Sequence, residues 1–195
     1  KVSRGRHCLP RILNTMVPDI SAYILAGGKS SRFGENKALY NYEGKPLVQR
    51  IVDTVSSVLP RIGIIANQPE LYEFLGLPIH TDIIPGLGPI GGIYTALKNS
   101  TTQHVFITAC DMPDISPRLI EYMISVADNH DVTIPFIEDF YEPLHAIYSR
   151  SCIDTINKMI ARDERRIHTF LTLETITTRK ILHDEISRIA DPSVV

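Results

Sequence analysis

The sequence predicts a single α/β domain of three layers: a mostly parallel, Rossmann-like sheet covered by helices on both faces. Three observations carry that expectation. Apolar runs of four to seven residues alternate with segments of helical period. Polar landmarks (Gly27-Gly28, Asn67 and Asp111) directly follow three of those runs, as ligand-binding loops follow strands in open α/β sheets. Finally, 195 residues at 44% hydrophobic content suffice for one good core and are too few for two comfortable domains.

Taken in order, strands are expected at Ser21 to Leu25, Ile62 to Ala66, Ile79 to Thr81, Val105 to Ala109, Val132 to Phe136, His145 to Ser149 and Arg179 to Leu182. The first helix should open with Pro46 at its first turn, followed by Leu47, Val48, Ile51, Val52, Val55, Val58 and Leu59 at helical spacing. Further helices are expected at Glu70 to Leu75, at Ile90 to Lys98, and at Pro117 to Ala127 with Ser116 as N-cap. Another runs from Cys152 to Ile160, with Ser151 and Asp154 in capping-box spacing. Residues 1–18 lack periodicity and are expected to be a disordered arm, upstream of a natural start at Met16 or foreign to the protein; a basic arm with a binding role is the alternative. Residues 19–195 form the domain.

Composition narrows the class. A net charge of −2 gives no broad basic field for nucleic acid, so cations that cluster locally read as a site. Three cysteines, odd in number and far apart, argue against a disulfide framework and against a zinc cluster and fit a reducing cytoplasm. No apolar run approaches the roughly 20 residues needed to span a bilayer, so no membrane association is expected. The seven histidines never fall at a metal-ligand spacing, and His145 reads as a satisfied core or rim histidine.

The chemistry concentrates in Leu25-Ala-Gly-Gly-Lys-Ser-Ser-Arg-Phe-Gly-Glu-Asn-Lys37. A glycine turn that lets backbone N–H groups approach a ligand is followed by Lys29, Arg32 and Lys37, and only a dense anion repays that crowding. A nucleoside triphosphate is the expected anion. Gly28 and Gly34 have five residues between them and Glu35 follows, which excludes a Walker loop; the adjacent Gly27-Gly28 pair excludes a dinucleotide fingerprint. Arg32 offers a planar fork to phosphate oxygens and Lys37 a movable point charge, whereas Lys29 reads rather as a solvated turn residue. Asp111, in Thr108-Ala-Cys-Asp-Met-Pro113, needs a helix N-terminus or a cation if it is desolvated; Mg²⁺ suits it, since that ion prefers one or two carboxylates plus phosphate oxygens. Asp82 opens a segment with four glycines and two prolines ahead of a helix, and Asn67 can give and accept hydrogen bonds at a base edge or ribose.

The pattern Leu-Ala-Gly-Gly-x-Ser-x-Arg-x-Gly-x-x-Lys, the Asp-Met-Pro step and the Asp82 segment, in that order, resemble the MobA-like molybdenum cofactor guanylyltransferases of the NTP-transferase superfamily, over about residues 20–175. The resemblance implies a sheet of the nucleotide-diphospho-sugar transferase type. It further implies transfer of GMP from GTP to molybdopterin, or its molybdenum-loaded form, with release of pyrophosphate. The attacking phosphate is already ionised, so no general base is required, and no Ser-His-Asp or Cys-His constellation is present. Carried over, Arg32, Lys37 and Asp111 are catalytic. Leu25, Ala26, Gly27, Gly28, Lys37, Asn67, Asp82 and Asp111 bind nucleotide, and Asp111 holds the metal. Implied partners are GTP, molybdopterin and proteins of molybdenum cofactor synthesis and molybdoenzyme maturation. Glu142-Pro-Leu-His-Ala-Ile-Tyr148 and Asp163 to Leu171 resemble the acceptor-facing half, where Arg165 and Arg166 suit an anionic acceptor or a solvated helix start equally.

The chain departs from the family at Phe33, where Met is usual, and at Asn36, where Asp is usual. It also stops at Asp191-Pro-Ser-Val-Val195, without the Asn-x-Asn-Thr-Pro-x-Asp segment whose carboxylate completes the family's metal site. Either that site is half-built or the sequence is a fragment. Two alternatives stay open: a relative using CTP or another phosphorylated acceptor, and a catalytically inactive nucleotide-binding module.

Overall fold

Alternate residues of the first strand face opposite ways, and each face has its own core. Ile20, Ala22 and Ile24 of β1 (Ile20–Leu25) join one apolar cluster, while Tyr23 and Leu25 join the other. The computed structural model describes residues 19–27 and 36–191. The arm expected over residues 1–18 lies outside them, as do Gly28, Lys29, Arg32 and Gly34.

The chain continues through β2 (Asn41–Tyr42), β3 (Lys45–Pro46), α1 (Leu47–Ser56), β4 (Ile62–Ile65), β5 (Ile79–His80) and α2 (Pro89–Asn99). Then come β6 (His104–Ala109), α3 (Pro117–Ser125), β7 (Val132–Ile137), β8 (Phe140–Tyr141) and β9 (His145–Ser149). The described chain closes with α4 (Cys152–Ala161), α5 (Ile167–Leu171), β10 (Thr178–Leu182) and α6 (His183–Ser187). The main sheet has the order β10-β7-β9-β6-β1-β4-β5, with β8 paired to β7. β9 runs antiparallel to both β6 and β7, and the other pairs along that order are parallel. The reversal has a simple cause. Residues 138–144 between β7 and β9 are too few for the crossover a parallel pair would need.

Helices α1, α3 and α6 cover one face through Val48, Ile51, Leu119, Met123 and Ile186; α2, α4 and α5 cover the other through Ile93, Leu97, Ile156 and Phe170. The expected three-layer, mostly parallel architecture is therefore present. On the outer edge, Glu185 accepts from Arg179 and Tyr122 and so ties α6 to β10 and α3. That Arg179 hydrogen bond, foremost, holds the Glu185 carboxyl down at about 2.

Several expected details are corrected. Pro46 is the N-cap of α1 rather than its first helical residue, because it also pairs with Asn41 in the β2–β3 hairpin. The helix ends at Ser56, and Leu59 is buried beyond it. Glu70 to Leu75 forms no α-helix but two successive 3-10 turns, Pro69–Leu71 and Glu73–Leu75, the second ended by Gly76 at φ 64°. Ser116 does cap α3, accepting from Leu119 N–H. Ser151 makes no capping box: at φ −56° and ψ −26° its backbone is already helical, and its hydroxyl donates instead to Asp131.

His145 also differs from expectation. It is fully buried, edge-on to Phe106, and neither ring nitrogen has a hydrogen-bond partner among the described residues. Burial pushes its pKa down to about 4, from an ordinary value of 6.5. The folded state therefore binds fewer protons than the unfolded chain between those values. The stability it retains above pH 6.5 should fall as pH drops toward 4, by about 3 kcal/mol in all. Urea midpoints at pH 7 and pH 4.5 should show that loss in the wild type and a much smaller one in His145→Leu. An equal loss in both would show that His145 does not control this window.

Candidate active site

β1 is paired to β4 on one side and to β6 on the other, so the strand order reverses there and a crevice opens beyond the carboxyl ends of these strands. It is a cleft of about 940 Å³. Leu25 ends β1 and Ala26 and Gly27 follow it, Ala66 to Gln68 follow β4, Asp82 follows β5, and Cys110 and Asp111 follow β6; all line it. Lys37 enters from the short turn Lys37–Leu39, and Gly86, Gly88 and Pro89 bring the start of α2 to the same cleft. Thus Leu25, Ala26, Gly27, Lys37, Asn67, Asp82 and Asp111 come together, whereas Gly28 and Arg32 lie outside the described residues.

Each part is held by local chemistry. The β-ladder runs one residue past the strands, with Ala26 N–H donating to Ile65 and Cys110 N–H to Leu25. Asn67 Nδ2 donates to Asp82 Oδ2 at 2.8 Å, and Asp82 N–H donates to Asn67 Oδ1 at 3.1 Å. Ile83 N–H donates to the buried Thr95 hydroxyl at 3.0 Å, which pins the same loop to α2. Gly88 caps α2 at φ 67° and ψ −149°, a conformation open essentially to glycine alone. Gly92 lets the helix close on β1, since a Cβ there would meet Leu25 at 2.9 Å. The amino end of α2 therefore brings its partial positive charge to the cleft.

Two groups read out the field beside Asp111. The half-buried Cys110 thiol is pushed up to about 12, by burial first and then by the Asp111 charge, with Lys37 pulling the other way. Lys37 and Asp111 are thus both close enough to act on one sulfur, and that sulfur is not a nucleophile at neutral pH. Glu142 is half-buried with its carboxyl raised, chiefly by burial and further by Asp111, against a hydrogen bond from the Leu144 amide. Arg165 pairs with Asp163 and donates to the Gly86 carbonyl at 3.3 Å, so it touches the glycine loop. Arg166 is exposed and paired with Glu164.

A second hollow of about 330 Å³ lies at the amino ends of β1 and β4, and its Ser21 and Ser100 hydroxyls bond each other. It gathers no comparable charge. Among the described residues no group of three or more His, Cys, Asp or Glu side chains gathers to hold a metal, and no helix is long and apolar enough to cross a membrane.

Sequence reasoning missed Tyr72, Gln68 and Leu144 as lining residues. Tyr72 falls inside the helix expected at Glu70 to Leu75, and nothing in the local pattern marks a buried hydroxyl.

The MobA-like NTP transferase domain model matches residues 22–177. The "Probable molybdenum cofactor guanylyltransferase" of Clostridium perfringens (strain 13 / Type A) is 36% identical over 148 residues, 75% of this chain and 74% of that protein. The molybdenum cofactor guanylyltransferase of Desulfosudis oleivorans is 32% identical over 181 residues, covering 90% and 87%. The crystal structure of molybdopterin-guanine dinucleotide biosynthesis protein A from Archaeoglobus fulgidus shares the fold, with a TM-score of 0.73 at 21% identity over 89% of this chain and 94% of that one.

Proposed function

The chain belongs to the MobA-like NTP transferase family, and from that premise we propose that this nucleotidyltransferase moves GMP from GTP to the terminal phosphate of molybdopterin, bare or molybdenum-loaded, releasing pyrophosphate. The observation that carries the reading is the meeting of Lys37, the Asn67–Asp82 pair, the α2 amino end and Asp111 in one cleft.

An acceptor phosphate oxygen forms the new bond to the α-phosphorus of GTP, the bond from that phosphorus to the bridging oxygen of the β-phosphate breaks, and pyrophosphate leaves with the electron pair. A phosphate monoester is largely ionised near neutral pH, so the cleft needs positioning and charge neutralisation rather than a general base. Lys37 and the α2 amino end supply positive charge to the triphosphate, with Arg32 as a second cation. Leu25, Ala26 and Gly27 form the floor under it, and Gly28 is proposed to bind the same nucleotide. One Asp82 oxygen is engaged by Asn67, while the other is buried without a partner in the described protein, an acceptor suited to ribose hydroxyls or the N–H donors of guanine.

Asp111 is an exposed carboxylate in the cleft and, among the described residues, stands without two protein co-ligands, which fits Mg²⁺ arriving on triphosphate oxygens and would not fit a resident zinc. When bound there, Mg²⁺ neutralises charge on the phosphates. Cys110 and Cys152 are free thiols, in keeping with a reducing cytoplasm.

Thermal shifts in Mg²⁺ test nucleotide choice: GTP is expected to raise the melting temperature more than CTP or ATP. Equal shifts for all three would remove the guanine preference and favour a relative of different nucleotide specificity.

A further inference from the structure

Tyr72 is 1% exposed, yet its hydroxyl touches both described ends of the segment that leads from β1 to Lys37. It donates to the Ala26 carbonyl at 2.7 Å and accepts from Asn36 Nδ2 at 2.9 Å. Asn36 Oδ1 in turn accepts from Ala38 N–H at 3.1 Å and caps the turn that carries Lys37. Two backbone groups fix every direction in this chain of bonds. The Ala26 carbonyl can only accept, so the tyrosine proton goes to it; the Ala38 amide can only donate, so the Asn36 oxygen faces it and the Asn36 N–H₂ faces Tyr72. The relay therefore needs a side-chain amide at position 36. A carboxylate there has no N–H to give and would compete with Ala26 for the single tyrosine proton.

The geometry points to Tyr72 as a positioning residue of the nucleotide site: through Asn36 its hydroxyl fixes the Lys37 turn against the carboxyl end of β1. The role rests on the proposed triphosphate site, and nothing in it requires Tyr72 to touch substrate. The ring itself packs in the core beneath the cleft, so a phenylalanine keeps the packing and removes only the relay.

The test is a set of double-mutant cycles on GTP–Mg²⁺ affinity, with amide exchange at Ala38 as a readout independent of ligand. Tyr72→Phe is expected to weaken GTP binding about tenfold and to speed Ala38 exchange. Asn36→Asp should weaken GTP binding by a similar factor. In a Lys37→Ala background, Tyr72→Phe should cost less than about twofold, because the residue it positions is gone. A full, additive loss in that background would overturn the assignment, as would unchanged GTP affinity in Tyr72→Phe. Should the wild type bind no GTP, the guanylyltransferase reading fails separately, and Ala38 exchange alone decides: faster exchange in Tyr72→Phe upholds the relay, and unchanged exchange overturns it.

Discussion

Asp111→Asn is expected to lower turnover on the order of 10³-fold while GTP affinity changes little. The side chain keeps its size and polarity, so the turn after β6 should persist; Asp111 is exposed there, and no hydrogen bond to its carboxylate is seen among the described residues. What disappears is the negative charge that would face a divalent cation beside the phosphates. That charge matters most as pyrophosphate departs, so the loss belongs in kcat. Single-turnover rates beside GTP titrations separate the two quantities. Turnover near the wild-type level would remove Asp111 from the machinery.

Lys37→Ala should behave in the opposite way and weaken GTP binding by about 10- to 100-fold, the worth of a charge-assisted hydrogen bond to a polyphosphate. Its ammonium sits in a site of high demand: it already acts on Cys110, which lies beside Asp111 in the chain. Lys37→Arg should recover only part of the affinity, since a planar fork does not replace a movable point charge on the same turn. Calorimetric titration with GTP and Mg²⁺ reads both variants, and an unaltered dissociation constant in Lys37→Ala would exclude it from the triphosphate site.

The parts of this molecule that the sequence disclosed are those where burial leaves a long signature. Runs such as Ile62–Ile65 and Val132–Ile137 sit between helices and are apolar nearly throughout, and the 3.6-residue period of α1 and α3 is complete over their lengths. Direction leaves no such mark. His145–Ser149 is as apolar antiparallel as it would be parallel, and only the short return from β7 decides its sense. The five-residue helices α5 and α6 are too short to display a period. The β2–β3 hairpin was not expected from the sequence; its two strands are two residues each, and its tight turn places Glu43 and Gly44 both at positive φ.

For the cleft, the legible residues are those whose types are costly to place without a ligand: glycine pairs after a strand, a cation on a turn, a carboxylate at a strand end. The supporting groups were silent because their roles arise from distant pairing. Thr95 under Ile83 and Tyr72 under Ala26 are 12 and 46 residues from their partners, and no local pattern joins them. Likewise Ser151 has the spacing of a capping box, but Asp131, 20 residues upstream, claims its hydroxyl, while accepting from Thr177 as well.

The central claim is that this cleft joins a guanylyl unit to a phosphorylated acceptor. Pyrophosphate release from GTP, followed with Mg²⁺ and molybdopterin present, tests it most directly. Release that requires the acceptor, matches the guanine dinucleotide formed and vanishes in Asp111→Asn is the predicted result. Tight GTP binding with no pyrophosphate released would contradict it and leave a nucleotide-binding module in its place.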